Sequence, residues 1–390
     1  MTRMDAFPLW SDGEAWVSAP FDHGDRGILP HDGSWMAGDL PAITWFLARQ
    51  AGDAVLPQGQ GAGRDRDTPH DDAVTQAKAW SGRLANRTNI TSFASVSHMF
   101  FRGAFLPLVA HGAGGLRPML ERAAETISRR FLRIGYMKSF GEPDDKRYPF
   151  TTIDDVINLC IPLWHAHETG DERLADAVRR SVALMADRLV RADGSTSQVL
   201  HFDEQGTAGE TGTYQGFSPA GCWSRGLAWG IYGFAMFHAL SGEAVHREAA
   251  DAMADFWMDR VQDDPAPVWD FSLPEGEPVI RDSFAASLAH AGILELASWS
   301  SGERADSLRD YARTMAARLA EGYVLGHGGP GILRGAALDV PHNHGVGHDC
   351  AVIVGDSYFT ETLWRLRNPA GDPSILGEAA RPADEASVTR

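Results

Sequence analysis

Along this chain, helices that are apolar on nearly every face alternate with helices that are apolar on only one. The stretch Val156 to His165 is apolar almost all round. After it, between Asp171 and Val190, Leu174, Ala177, Val178, Val182, Met185 and Leu189 follow the three-and-four spacing of an amphipathic helix. The same order recurs at Gly226–Leu240 then Ala244–Val261, and at Phe284–Ala297 then Leu308–Leu319. A helix that must hide every face belongs inside, and one that must hide a single face belongs outside, packed on the first. The pattern predicts two concentric rings, an all-α toroid of helical hairpins whose inner-ring N-terminal ends and loops build a cleft. Strand-like alternation is scarce, and a plain α-solenoid is the competing architecture.

The turns agree with hairpins. Ala51-Gly52-Asp53, Thr169-Gly170-Asp171, Ser241-Gly242-Glu243 and Ser301-Gly302-Glu303 each lie beside helical periodicity. A glycine there can take the left-handed conformation that closes a helix, and the acid after it suits the next helix's first turn. The 390 residues read as one domain. The Gly-, Arg- and Asp-rich run Gln58–Asp72 is expected to be a mobile loop, and the polar tail after Pro369 to be disordered.

A formal net charge of −17 argues against nucleic acid or an anionic membrane surface as a partner. No export signal is expected from residues Met1 to Trp10, and no apolar run is long enough to span a bilayer. The three cysteines, Cys160, Cys222 and Cys350, have no metal-ligand or disulfide spacing, so a reducing, cytoplasmic setting is expected. His342, His344 and His348 with Asp349 form a histidine cluster that could bind a divalent metal; a bland loop role is the preferred reading.

Chemistry is suggested by Trp223-Ser224-Arg225-Gly226-Leu227-Ala228-Trp229, with Arg225 and Trp229 four apart on one helical face. Indoles stack on sugar rings and a guanidinium matches a planar carboxylate, a grouping able to hold a uronic acid. Core aromatics with a snorkelling arginine would read the same way. Gln215 lies just upstream, where its amide could reach sugar hydroxyls or simply face solvent. Asp154 and Asp155 open a helix, where a carboxylate can serve as an N-cap; against aromatic walls the same group would be pushed towards its protonated form and could donate a proton. The sequence leaves both readings open.

Taken in order, Asp32-Gly33-Ser34-Trp35, His98, Ile153-Asp154 with Asn158, Gln215-Gly216-Phe217-Ser218 with Trp223–Trp229, Arg281-Asp282-Ser283-Phe284-Ala285-Ala286 and Gly355-Asp356-Ser357-Tyr358-Phe359 resemble the unsaturated glucuronyl hydrolases of glycoside hydrolase family 88. The resemblance runs from about Trp35 to Leu366 and implies an (α/α)6 barrel of six hairpins without metal or organic cofactor. It implies a substrate that is an acidic oligosaccharide ending in a 4,5-unsaturated uronic acid. Asp154 matches the catalytic acid, which would protonate C4 of the double bond before water adds at C5. His201, Gln215, Trp223, Arg225 and Trp229 match substrate-binding positions, with Trp35 and His98 added.

One departure stands out: the family pattern His-Asp becomes His98-Met99, so Met99 stands where a second acid is expected. Arg102 is then a candidate for attracting a sulfate or carboxylate, and Asp155 for replacing part of the missing acid, although it should point about 100° away from Asp154. A rhamnogalacturonyl-type relative, a sugar epimerase or isomerase with a histidine pair, and a non-catalytic binding protein are the alternatives.

Overall fold

The computed structural model describes residues 10–11, 16–17, 35–53, 69–326, 331–342, 348–367 and 374–376. The helices in chain order are α1 (Asp39–Asp53), α2 (Pro69–Gly82), α3 (Val96–Phe100), α4 (Leu106–His111), α5 (Arg117–Ile134), α6 (Asp155–Asn158), α7 (Cys160–Thr169), α8 (Glu172–Leu189), α9 (Ser224–Ser241), α10 (Ala244–Arg260), α11 (Ser283–Ser298), α12 (Gly302–Tyr323) and α13 (Ile353–Arg367). A π turn, Phe101–Phe105, joins α3 to α4.

The expected alternation is realised as an (α/α)6 barrel. Helices α1, α3–α4, α6–α7, α9, α11 and α13 pack side by side into the inner ring, and α2, α5, α8, α10 and α12 lie outside them. Nearly all of α9 and α11 is buried, whereas α8 hides one stripe: Leu174, Ala175, Val178, Val182, Met185 and Leu189. Inner helices approach closely where side chains are small: a Cβ on Gly292 of α11 would collide with the Tyr232 backbone of α9. Among the described residues no helix is long and apolar enough to cross a membrane.

Two of the four predicted turns close a helix as expected, with Gly170 at φ 68° and Gly242 at φ 71°. Asp171 then caps α8 by accepting the Leu174 N–H at 3.0 Å. Gly302 differs: α11 already ends at Ser298, and Gly302 opens α12. Gly52 and Asp53 belong to the end of α1, and residues 54–68 lie outside the described residues.

Most of the expected loop 58–72 falls in that same undescribed stretch, but 69–72 are the first turn of α2. Pro69 suits a helix start, and Asp71 and Asp72 suit its positive end. The tail after 369 is likewise mostly undescribed, yet Ile375 and Leu376 are buried and the Ile375 N–H bonds Glu295, since two apolar side chains there find the core.

The periodicity gave no warning of two small antiparallel sheets. One has the order β2 (Trp16–Val17), β1 (Trp10–Ser11), β7 (His348–Val352), β6 (Ala336–Ala337). The other runs β3 (Phe150–Thr152), β4 (Val199–Phe202), β5 (Ala208–Gly212), with Phe150 opposite His201 and Thr152 opposite Val199. Strands this short carry too few residues to show a period of two.

Candidate active site

At the N-terminal ends of the inner helices lies an open cleft of about 810 Å³, solvent included. Trp35, His98, Asp154, Gln215, Trp223, Arg225 and Trp229 all line it, so seven of the eight site residues expected from the sequence come together from five separate segments.

His201 is not brought there. It is exposed on β4, its ring 5.9 Å from that of Phe150, because the pairing of β4 with β3 turns it away from the cleft.

Strand β3 delivers Asp154. The Ile153 N–H bonds the Gln198 carbonyl at 2.8 Å, and the chain then turns directly into α6. Asp154 holds the N-cap position, but its side chain makes no capping hydrogen bond. Its Oδ1 has no hydrogen-bond partner among the described residues. Burial first, and the charge of Asp155 second, push its carboxyl up to about 8, with Arg225 opposing. The protonated form is thus the resting one near neutrality.

Asp155, one residue on, faces the other way. Its carboxylate accepts from Ser139 Oγ (2.6 Å), the Thr152 N–H (3.0 Å) and Asn158 Nδ2 (2.8 Å), away from the cleft. It offers a substrate nothing directly.

The aromatic wall is a set of edge-to-face contacts. The Trp35, His98 and Trp229 rings lie 5.2 to 6.2 Å apart, and Trp223 and Phe284 flank the Arg225 guanidinium at 4.7 and 4.9 Å. Gly38 lets the Trp35 turn sit against α3, since a Cβ there would collide with the Met99 carbonyl.

Arg225 is less free than a lone fork would be. Nη1 donates to Asp282 (2.7 Å) and the Ala337 carbonyl, and Nη2 to the Leu338 carbonyl. Nε and one Nη2 hydrogen remain for a ligand among the described residues. Asp282 also caps α11 through the Phe284 and Ala285 N–H groups, which is why an acid opens that helix.

His98 is fixed and neutral. Nδ1 lies 3.5 Å from the Trp35 carbonyl and Nε2 3.1 Å from the Tyr358 hydroxyl, so Nδ1 carries the proton and Nε2 accepts. Burial and the Arg102 charge push its pKa down to about 3. Gln215 is also engaged, its Oε1 accepting from Gln198 (3.0 Å) and its Nε2 donating to the Leu338 carbonyl (3.2 Å).

Two expectations about the departures are corrected. Met99 is fully buried and does not line the cleft, because the helix turn that aims His98 inward sends residue 99 into the core. Arg102 is fully buried too, paired with Glu361 and, at 3.4 Å, with Asp39, so it cannot meet a sulfate or carboxylate of a ligand.

His342 Nδ1 donates to the Asp339 carboxylate at 2.7 Å and its ring packs on Tyr214, while His348 lies in β7 and His344 is outside the described residues. No group of three metal-ligating side chains occurs among the described residues.

Phe140 and Tyr214 also line the cleft and were not picked from the sequence. Tyr214 adjoins Gln215 and could have been noticed; Phe140 sits in an aperiodic loop with no signal at all.

A double ring of helices with an unsatisfied acid, indoles packed edge to face and a guanidinium in one cleft defines an enzyme of carbohydrate acid–base chemistry. No family model matches the chain. It is 30% identical over 370 residues to the unsaturated glucuronyl hydrolase of Bacillus sp. strain GL1, covering 93% of this chain and 91% of that one. It is 27% identical to the unsaturated chondroitin disaccharide hydrolase of Streptococcus pneumoniae, over 66% of each chain. The fold matches the crystal structure of the Bacillus sp. GL1 enzyme with a TM-score of 0.80 and 25% identity, over 97% and 94% of the two chains. The chain belongs to the unsaturated glucuronyl hydrolases.

Proposed function

We propose that this protein is a glycoside hydrolase that removes a 4,5-unsaturated uronic acid from the non-reducing end of short acidic oligosaccharides by hydrating the vinyl ether. Asp154 gives its proton to C4 and the C4=C5 electron pair forms the new C–H bond, leaving positive charge at C5 shared with the ring oxygen. Water adds at C5 and returns a proton to Asp154. The hemiketal so formed opens at the C5–O5 bond, and the resulting hemiacetal releases the remaining glycan.

The observation that carries this reading is the Asp154 carboxyl, facing aromatic rings with one oxygen unpartnered and its proton retained to about pH 8. Trp35, Trp223 and Trp229 supply stacking faces, Arg225 the remaining donors for the uronic carboxylate, and Gln215 the unused hydrogen and lone pair of its amide for hydroxyls, while His98, both nitrogens engaged, shapes the aromatic wall. The relatives support the substrate class. Three buried free thiols suit the cytoplasm, the compartment we propose.

The isomerase reading needs a histidine that cycles its proton, and His98 has both ring nitrogens engaged and does not charge above about pH 4. Incubation with a lyase-generated unsaturated disaccharide tests the proposal: the ultraviolet absorbance of the double bond should vanish. A signal that persists across a panel of linkages would leave a sugar-binding protein.

A further inference from the structure

Two carboxyls stand side by side at the start of α6, and their surroundings differ sharply. Asp155 Oδ2 accepts from Ser139 Oγ (2.6 Å), Thr151 Oγ1 (3.2 Å) and both the N–H (3.0 Å) and hydroxyl (3.3 Å) of Thr152; Oδ1 accepts from Asn158 Nδ2 (2.8 Å). Asn158 cannot turn its oxygen to Asp155, because that oxygen already takes the His98 N–H at 2.9 Å. Such a ring of donors suits an anion, and it is closed to solvent.

We propose, resting on the hydrolase reading above, that Asp155 is a positioning residue for Asp154: a buried anion whose charge keeps its chain neighbour in the proton-carrying form that the reaction requires.

The charged groups around the pair are few. From α9, Arg225 faces Asp154 but is paired with Asp282 of α11. From α5, Arg130 lies near Asp155, yet its donors go to the carbonyls of Thr91, Lys138 and Gly141. From α3, His98 is neutral. Burial raises both carboxyls, but Asp155 has the fuller set of donors to pull it back. The first proton of the coupled pair therefore leaves Asp155, and the second stays on Asp154. Met99 contributes no charge and does not face the cleft, which leaves Asp155 as the acid that can act on Asp154 at this point.

The experiment is the pH profile of kcat on an unsaturated disaccharide, for the native protein and for Asp155→Asn and Asp155→Ser. Serine still accepts the Thr152 N–H if asparagine does not fold. The native alkaline limb should lie near pH 8. Both neutral variants should move it down by about one pH unit, a roughly tenfold loss on the limb, while the activity at lower pH is kept. A limb unmoved in a folded variant, or a native limb already near pH 5, overturns the proposal. A native protein with no turnover at any pH would instead remove the hydrolase reading on which it stands.

Discussion

Two buried polar regions meet at Tyr358, and they are built on opposite principles. On one side its hydroxyl touches His98 at the cleft floor; on the other its ring lies 4.1 Å from the Arg102 guanidinium. Around Arg102 the partners interlock. It donates to Glu361, Ser357 (2.6 Å) and Tyr232 (3.3 Å), and Arg365 donates to both Glu361 (2.9 Å) and Glu295 (2.7 Å).

Two cations there face three acids, and the third, Asp39, is pushed by burial up to about 7, so the cluster approaches neutrality with that acid protonated. Hydrogen bonding is incomplete in both regions: Asp39 Oδ1 and Oδ2 and Arg102 Nε lack hydrogen-bond partners among the described residues, and so does Asp154 Oδ1 at the cleft floor. Around Arg102 opposite charges offset one another inside the core, whereas the unpartnered Asp154 oxygen belongs to a residue lining a cleft that a substrate can enter.

Substitutions should separate the two regions. Asp154→Asn removes the acid but keeps its size and one acceptor oxygen; turnover should fall about 10³-fold or more while the melting temperature holds or rises. Arg102→Met strands Glu361 and Asp39 in the core and should destabilise the protein by roughly 3–5 kcal/mol in urea unfolding. The activity per folded molecule should change far less. If Arg102→Met instead abolished turnover in a stable protein, the division between the regions would fail.

Acid titration gives a finer contrast. A carboxyl near 8 in the native state and near 3.9 when unfolded adds stability below pH 4, and that contribution is lost as pH climbs through 8. Unfolding measured from pH 4 to 9 should show Asp154→Asn gaining on the native protein across this window, by on the order of a few kcal/mol. A constant difference would mean that Asp154 is already ionised at pH 4. The smallest effect is expected for His98→Gln: turnover down about tenfold or less, with both limbs of the pH profile in place because the ring does not titrate above pH 4.

Much of this was legible in the chain. The apolar-all-round character of Gly226–Leu240 against the single stripe of Asp171–Val190 specifies which helices lie inside, because it reflects burial directly. The indole and guanidinium run of α9 was visible because its members are close in sequence. What was not visible depends on contacts between distant segments. The fate of Arg102 is decided by Glu361 and Asp39, far away along the chain; the idle face of His201 by strands too short to show alternation; Phe140 by a loop. Whether Asp154 caps its helix or faces the cleft is a matter of one side-chain torsion, which no periodicity encodes.

The central claim is that the Asp154 carboxyl keeps its proton near neutral pH. Carbon-13 NMR of labelled aspartate carboxyls, with the Asp154→Asn protein used to assign the resonance, reads this directly. The account predicts a midpoint near pH 8 for that carboxyl. A midpoint near pH 4, the range of an ordinary exposed aspartate, would contradict it.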